Sequence, residues 1–456
     1  MSDACGERRA ACDDAGVSRF PDASSAAPAL ALSADDSLSG AVPRLQAAAC
    51  ATHGPVLRSN VPFGPDAGPC VTLVGAQAAE TALLSRRAAF SSEKGWGHVL
   101  GAGCGLAVLN TDDPLHAEQR RTWSPAFTGT ILRSYESRLM QIVDDCLRPW
   151  QDGAELDLYP PLREFAFRAV AATVGGLPEA AIEPVHRAIC TILDGQDYRN
   201  EPREAYVERA TAARAVIADT LRSAIRERRR HRDGEPWSLL DILLAEPAYA
   251  SDDAEIQSHL TILLIAGHET GATLYSRALY VLAQMPPVAA ALADELQAAG
   301  STRARPLNSD ALDRLPKLDR FMLEVGRLYP PLVNLPRVAT AAIEFGGYCI
   351  HPGTRVAVAI AATHLLPDNH PDPLRFDIDR YAAADSASRA RPFLLLTFAG
   401  GARMCLGIRF AQMEFKALVA HVLGAMTLAA ESGDVAHTGF WNARPAAPMR
   451  VRLRPR

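Results

Sequence analysis

Phe398-Ala399-Gly400-Gly401-Ala402-Arg403-Met404-Cys405-Leu406-Gly407 is the stretch on which the reading of this chain turns. Cys405 stands just ahead of an amphipathic run, Leu406 to Leu428, with Ile408, Phe415, Leu418, Val419 and Val422 near one face. A thiol at the head of a helix feels the positive end of the helix dipole and free backbone N–H groups, and both favour thiolate. Gly401 and Gly407 permit tight backbone geometry and the close approach of a flat ligand. Arg403 can pair with an anion on that ligand, and Phe398 can pack beside the sulfur and keep water away. The arrangement suits an axial thiolate on a haem iron. A lone buried Cys is more often simply core, so the weight rests on the whole spacing, F-x-x-G-x-R-x-C-x-G.

Upstream, Asp252 to Met285 is the longest uninterrupted helical pattern, opened by Asp252 with Glu255 as a capping box and stopped by Pro286-Pro287. At 1.5 Å per residue it predicts a rod of roughly 50 Å. Ile256, Leu260, Leu263, Leu264 and Ile265 make it apolar enough to run through the centre of the molecule. Ala266-Gly267-His268-Glu269-Thr270 lies midway along it. A shorter helix, Leu318 to Leu328, carries Glu324 and Arg327 at i, i+3, a spacing that allows pairing. His116 and Arg120, at i, i+4, share a helical face. Strands are expected at 55–61, 69–74, 341–345, 348–350 and 355–360, and 95–105 reads as a Gly-punctuated mobile loop. Residues 1–36 read as a flexible leader and 37–456 as a single domain, mainly α with a small β region.

Composition narrows the field. Of 456 residues, 48% are apolar and 22% charged, an ordinary globular balance. Lys plus Arg is 47 and Asp plus Glu 52, which gives no support to a nucleic-acid binder. The nine cysteines include no CxxC pair, so neither a disulfide framework nor a zinc ribbon is expected. His268-Glu269 fails as HExxH because residue 272 is Ala. With no signal peptide and no apolar stretch long enough to span a bilayer, the chain reads as soluble, cytoplasmic and without a membrane anchor.

The Cys405 loop resembles the haem-binding loop of the cytochrome P-450 family of haem-thiolate monooxygenases. Four more of that family's motifs occur in order: His116-Ala-Glu-Gln-Arg120, Ala266-Gly-His-Glu-Thr270, Glu324-Val-Gly-Arg327 and Pro373-Leu-Arg-Phe376. The resemblance covers roughly residues 40–456. It implies a long central helix over haem b, with Cys405 as the axial ligand and His116, Arg120, Arg337 (after a turn at Pro336) and Arg403 around the propionates. Phe398, Gly401 and Gly407 belong to the same cofactor-binding loop. Ala266, Gly267, Glu269 and Thr270 would form the catalytic stretch, Gly267 leaving room against the ring and Glu269-Thr270 managing protons. Glu324 and Arg327 would join a third Arg, with Arg375 the positional match and Arg380 a nearby candidate. Two departures stand out. Gly271 replaces a second Thr, and Ala399 replaces the Gly that usually follows the Phe, a change expected to be harmless.

The implied activity is insertion of one atom of O2 into an apolar organic substrate by hydroxylation or epoxidation, in secondary metabolism. The electrons would come from NAD(P)H through a separate ferredoxin reductase and ferredoxin, with Arg403, Arg409 and Lys416 as a basic docking face. A monomer is expected. The alternatives are a peroxide-driven peroxygenase and a non-redox haem protein, an isomerase or a sensor. Residues expected to face the substrate are Trp96, Val99, Leu100, Ile262, Leu332, Val333, Leu335 and Phe440, a largely apolar set.

Overall fold

A computed structural model describes residues 20–61, 68–100, 104–150, 153–195, 202–231, 237–301, 307–382, 393–431 and 433–455. Eight helices position the site: α1 (Ser92–Leu100), α2 (Leu115–Trp123), α3 (Tyr159–Ala172), α4 (Glu179–Asp194), α5 (Arg203–Arg230), α6 (Asp253–Gln284), α7 (Pro316–Leu328) and α8 (Ile408–Ala425). The architecture is mainly α with small sheets, as expected. The Asp252 carboxylate accepts from the N–H groups of Ala254 and Glu255 and starts α6. That helix runs through the main core, packed on α3, α5, α7 and α8. Its closest neighbour is α3: a Cβ at Gly267 would stand 2.9 Å from Val170, and one at Gly271 would stand 3.0 Å from the Tyr275 ring and 3.3 Å from Ala166. The missing second Thr at 271 is thus where this crossing has no room for a larger side chain.

The principal sheet has five strands: β1 (Val56–Val61), β2 (Gly68–Val74), β3 (Phe90–Ser91), β4 (Asn334–Ala339) and β5 (Arg355–Ala359), in the order β1-β2-β5-β4-β3. β2 and β5 run parallel, Val71 beside Val356, and β5 and β4 antiparallel, Arg337 opposite Val356. The sequence reading placed a turn at Pro336, yet β4 is a strand buried along its whole length. β3 pairs β4 only at Val338 and Ala339, so the missing N–H of Pro336 interrupts no ladder on that edge.

Two further expectations are corrected. Much of 95–105 is helical as α1, because Gly95 lets the helix lie against β4: a Cβ there would meet the Pro336 carbonyl oxygen at 2.5 Å. Described structure also begins before residue 37. Ala23–Ala26 forms a helical turn, Asp22 bridges to Cys349, and Ala29 bridges to Arg58, so buried Ala23 and Ala27 join the core. Residues 1–19 of the expected leader lie outside the described residues.

Candidate active site

Cys405 sits three residues before the first residue of α8, its N–H donating to the Phe398 carbonyl at 2.8 Å. It retains exposed surface, yet burial pushes its thiol above the ordinary range, opposed by an N–H donated from Gly407 and by the Arg120 guanidinium. The sulfur is thus surrounded by protein while the residue keeps accessible surface. The two groups that oppose the rise are the ones a thiolate ligand needs. Gly401 adopts φ +60°, and a Cβ there would stand 2.5 Å from the Leu83 carbonyl oxygen. Its glycine requirement comes from the neighbouring chain rather than from a flat ligand. Gly407 has φ −84° and only ordinary contact with Phe127. Ala399, expected to be harmless, has φ +58°, a left-handed conformation that costs a residue with a Cβ roughly 1–2 kcal/mol. Phe398 is partly buried against the main core.

On α6 the stretch His259–Ala283 is buried except at Ala266, Gly267 and Thr270. A helix inside a core has an accessible window only where a cavity meets it. Thr270 donates to the Ala266 carbonyl at 2.7 Å, a bond common for a helical Thr. Gly267 does not serve to leave room at this window, since its missing Cβ is directed at Val170.

The cationic residues converge. His116, buried, is held down to about 4 by burial and by Arg403, Arg120, Arg87 and Arg337. Burial and Arg403 push Arg337 down to about 9, and burial pushes Arg403 down to about 10. Arg337 donates to the Pro336 carbonyl at 2.7 Å, and Arg403 to the Thr111 carbonyl at 2.8 Å. The buried Nη1 of Arg403 has no partner among the described residues. Asp112 and Asp113 are the nearby carboxylates, at 3.6 Å from Arg403 and 3.3 Å from His116. Cations crowded so closely that they depress one another, one of them with an orphaned donor, are complementary to a buried dianion. With an accessible Cys405 and an open window on α6, the residues present fit a haem with two propionates.

The buried pair is stronger than its spacing alone implied. Arg327 Nε and Nη2 each lie 2.8 Å from a Glu324 carboxylate oxygen, and both residues are fully buried. The third Arg is Arg380, whose Nε lies 3.2 Å from Glu324; Arg375 supplies only its backbone carbonyl, which accepts from Arg327 and Arg380. Arg375 is therefore corrected. Its side chain is exposed, because the chain turns after Pro373 and brings residue 380 back instead. Sequence reasoning missed His364. Its Nδ1 lies 2.9 Å from the Arg327 carbonyl and its Nε2 accepts from the Leu396 N–H at 2.7 Å, linking the pair to the segment that leads into the Cys405 loop. No motif spacing signals such a link.

Glu269 is also corrected. It is buried, with Tyr159 Oη at 2.5 Å, Arg444 Nε at 2.6 Å and Arg163 Nε at 3.1 Å. Burial alone would raise its pKa, but Arg444 and Arg163 hold the carboxyl at about 2. These contacts tie α3 and the segment around Arg444 to α6, and the carboxylate is committed to ion pairs rather than free at the window. Among the expected substrate contacts, Trp96, Val99, Leu100, Ile262 and Leu335 are buried in the main core, with half-buried Leu332 packed against it. Val333 and Phe440 belong to a separate cluster with Leu32, Val42 and Ala357 and do not join that set. In the docking face, buried Lys416 is paired at 2.7 Å with both Asp313 and Asp319, and only Arg409 of the three cations is exposed.

Among the described residues no helix is long and apolar enough to cross a membrane. Residues 202–438 match the sequence model of the cytochrome P450 family. The chain is 29% identical over 373 residues to pentalenene oxygenase of Streptomyces avermitilis, covering 77% of this chain and 80% of that protein. It is 28% identical over 374 residues to cyclooctat-9-en-7-ol 5-monooxygenase of Streptomyces melanosporofaciens, covering 78% and 79%. The fold superposes on retinoic acid-bound cyanobacterial CYP120A1 with a TM-score of 0.82 at 24% identity, covering 96% of this chain and all of that one. A matching stretch that runs from α5 past α8, on that fold and with the thiolate loop at the head of α8, leaves one assignment: the chain belongs to the cytochrome P450 family.

Proposed function

We propose that the protein is a haem-thiolate monooxygenase that inserts one oxygen atom from O2 into an apolar, terpene-like substrate. The observation that carries this reading is the accessibility of two elements in an otherwise closed core: Cys405 just ahead of α8, and Ala266, Gly267 and Thr270 on α6. Bound through Cys405, haem b supplies the activation of O2. The protein's own work is then distinct. His116, Arg120, Arg337 and Arg403 neutralise the propionates, while the Gly407 N–H and Arg120 hold negative charge on the sulfur. Thr270 Oγ1 offers a hydroxyl at the window, able to leave the Ala266 carbonyl and donate to a water or a substrate oxygen. The buried apolar flank of α6 and α1 excludes bulk water. The names of two relatives, oxygenases of terpene-type molecules, support the substrate class.

Electrons would come from NAD(P)H through a ferredoxin reductase and a ferredoxin docking on the Cys405 loop face around exposed Arg409, with the enzyme monomeric, cytoplasmic and engaged in secondary metabolism. The test supplies NADPH, reductase and ferredoxin in one arm and hydrogen peroxide in the other, with a panel of cyclic terpenes. Product in the first arm, and a thiolate-type band for the reduced carbon-monoxide complex that is lost in Cys405→Ala, supports the proposal. Product with peroxide alone identifies a peroxygenase, and an unchanged band in Cys405→Ala overturns the assignment of the ligand.

A further inference from the structure

His268 failed as part of an HExxH motif because its own helix offers no second ligand one turn on. The fold supplies ligands from elsewhere. His186 and Cys190, one turn apart on α4, lie over His268 of α6, and an imidazole nitrogen from each His and the Cys sulfur all fall within 4.8 Å of one another. The His186 and His268 ring centroids are 5.2 Å apart, and Phe167 holds both, stacked on His186 at 4.7 Å and edge-on to His268 at 5.4 Å.

The hydrogen-bond count is what makes this cluster unusual. His268 is fully buried, and neither of its ring nitrogens has a hydrogen-bond partner among the described residues. The buried Nε2 of His186 also lacks one. A buried polar atom without a partner costs about 1–3 kcal/mol, and here such atoms share one small volume and face a thiol. Burial holds His268 at about 3 and His186 at about 4, so both present free lone pairs at neutral pH. Burial pushes Cys190 up to about 11, so a bound cation must displace its proton. The Glu269 carboxylate, 3.8 Å from His268 Nε2, is too far for a hydrogen bond and places negative charge beside the cluster. The charges around it balance: Glu269 and Asp194 face Arg163 and Arg444.

We propose that His186, Cys190 and His268 form a binding site for a borderline divalent cation of the Zn2+ class, separate from the haem and joining α4 to the central helix. Two imidazoles and one thiolate match zinc better than the hard cations, and three protein ligands leave a fourth position for water. His186 and Cys190 are half-buried and His268 is fully buried. The site lies two residues along α6 from Thr270, and its occupation would fix how α4 packs on the helix that carries the catalytic window.

The haem-loaded protein is incubated with ZnCl2, passed over a chelating resin, and analysed for zinc and iron by mass spectrometry. About one zinc per haem iron is expected in the parent, with affinity weakened at least tenfold in Cys190→Ser and in His186→Gln. The reduced carbon-monoxide band, unchanged in both variants, shows that the haem site and fold are intact. Zinc-edge X-ray absorption should show one sulfur near about 2.3 Å and nitrogens near about 2.0 Å. No zinc retained by the parent, equal retention in the parent and both variants, or a zinc shell without sulfur each overturns the proposal.

Discussion

Replacing, one at a time, the three arginines around Glu324 separates a buried pair from a backbone scaffold. Arg327 makes two bonds of 2.8 Å to the Glu324 carboxylate and donates to the carbonyls of Pro373, His364 and Arg375 at 2.6, 3.3 and 3.2 Å. Arg327→Ala leaves Glu324 charged and fully buried with, among the described residues, the Asp377 N–H and Arg380 as its remaining hydrogen-bond partners. Breaking such a pair costs about 3–5 kcal/mol. Arg380→Ala removes one charged contact at 3.2 Å and donations to the carbonyls of Pro371, Asp372 and Arg375. Water reaches this partly exposed edge, so about 1.5–3 kcal/mol is expected. Arg375→Ala keeps the carbonyl that matters and removes an exposed side chain, for about 0.5 kcal/mol or less. The assay is urea unfolding of the haem-loaded protein, followed by far-ultraviolet circular dichroism and by the thiolate-type carbon-monoxide band. The expected order of damage is Arg327, then Arg380, then Arg375. An Arg375→Ala protein as unstable as Arg380→Ala would refute the reasoning, because that side chain is exposed and has no hydrogen bond or ion pair among the described residues.

Four further outcomes follow from the geometry. Ala399→Gly relieves a left-handed residue by roughly 1–2 kcal/mol but frees the unfolded chain by about 0.4–1. A net change in unfolding free energy between about 0 and a gain of about 1.6 kcal/mol is expected, and a loss would show that the Ala methyl contributes packing. Glu269→Gln should destabilise by about 3–5 kcal/mol through its arginines, while product formed per NADPH in the surviving holoenzyme stays unchanged; a large rise in peroxide would restore its proton-carrier role. Gly95→Ala must displace α1 from the Pro336 carbonyl and should cost about 1–3 kcal/mol, read as lower haem retention; unaltered retention would mean that α1 yields freely. Burial holds His259 at about 4 and His364 at about 3, below the unfolded value, so the native state binds fewer protons than the unfolded chain in acid. Stability should therefore fall as pH drops from about 6.5 toward 4, by about 1.4 kcal/mol per unit for each His; urea midpoints that are flat across that window would contradict it.

The parts of this molecule legible in its sequence are those whose chemistry is local. The Cys405 loop, the Asp252 cap and the Glu324–Arg327 spacing each involve residues within one or two turns of chain, and each is read directly from their order. The partner of a buried charge is not local. Arg380 replaces Arg375 because of a loop path that no periodicity encodes, and Glu269 is drawn from the haem side by Tyr159, Arg163 and Arg444, residues 106 to 175 positions away. β4 was hidden by Pro336, whose tolerance depends on how short its neighbour β3 is. Gly267 reads as room for a ligand, and Gly271 as a missing second Thr, until the crossing with α3 shows what they accommodate.

The narrowness of the α6 window also limits how this enzyme can diverge. Along His259–Ala283 only Ala266 and Thr270 present side chains there, Gly267 having none. Most other positions on that stretch are buried in packing, where even a change of one methylene is felt. A lineage that acquires a new substrate, or a library designed to select one, has almost no freedom along its longest helix. Altered regioselectivity should arise instead by substitutions at α1 positions other than Gly95 and in the chain leading into β4, which leave the Cys405 loop and the α6 window unchanged.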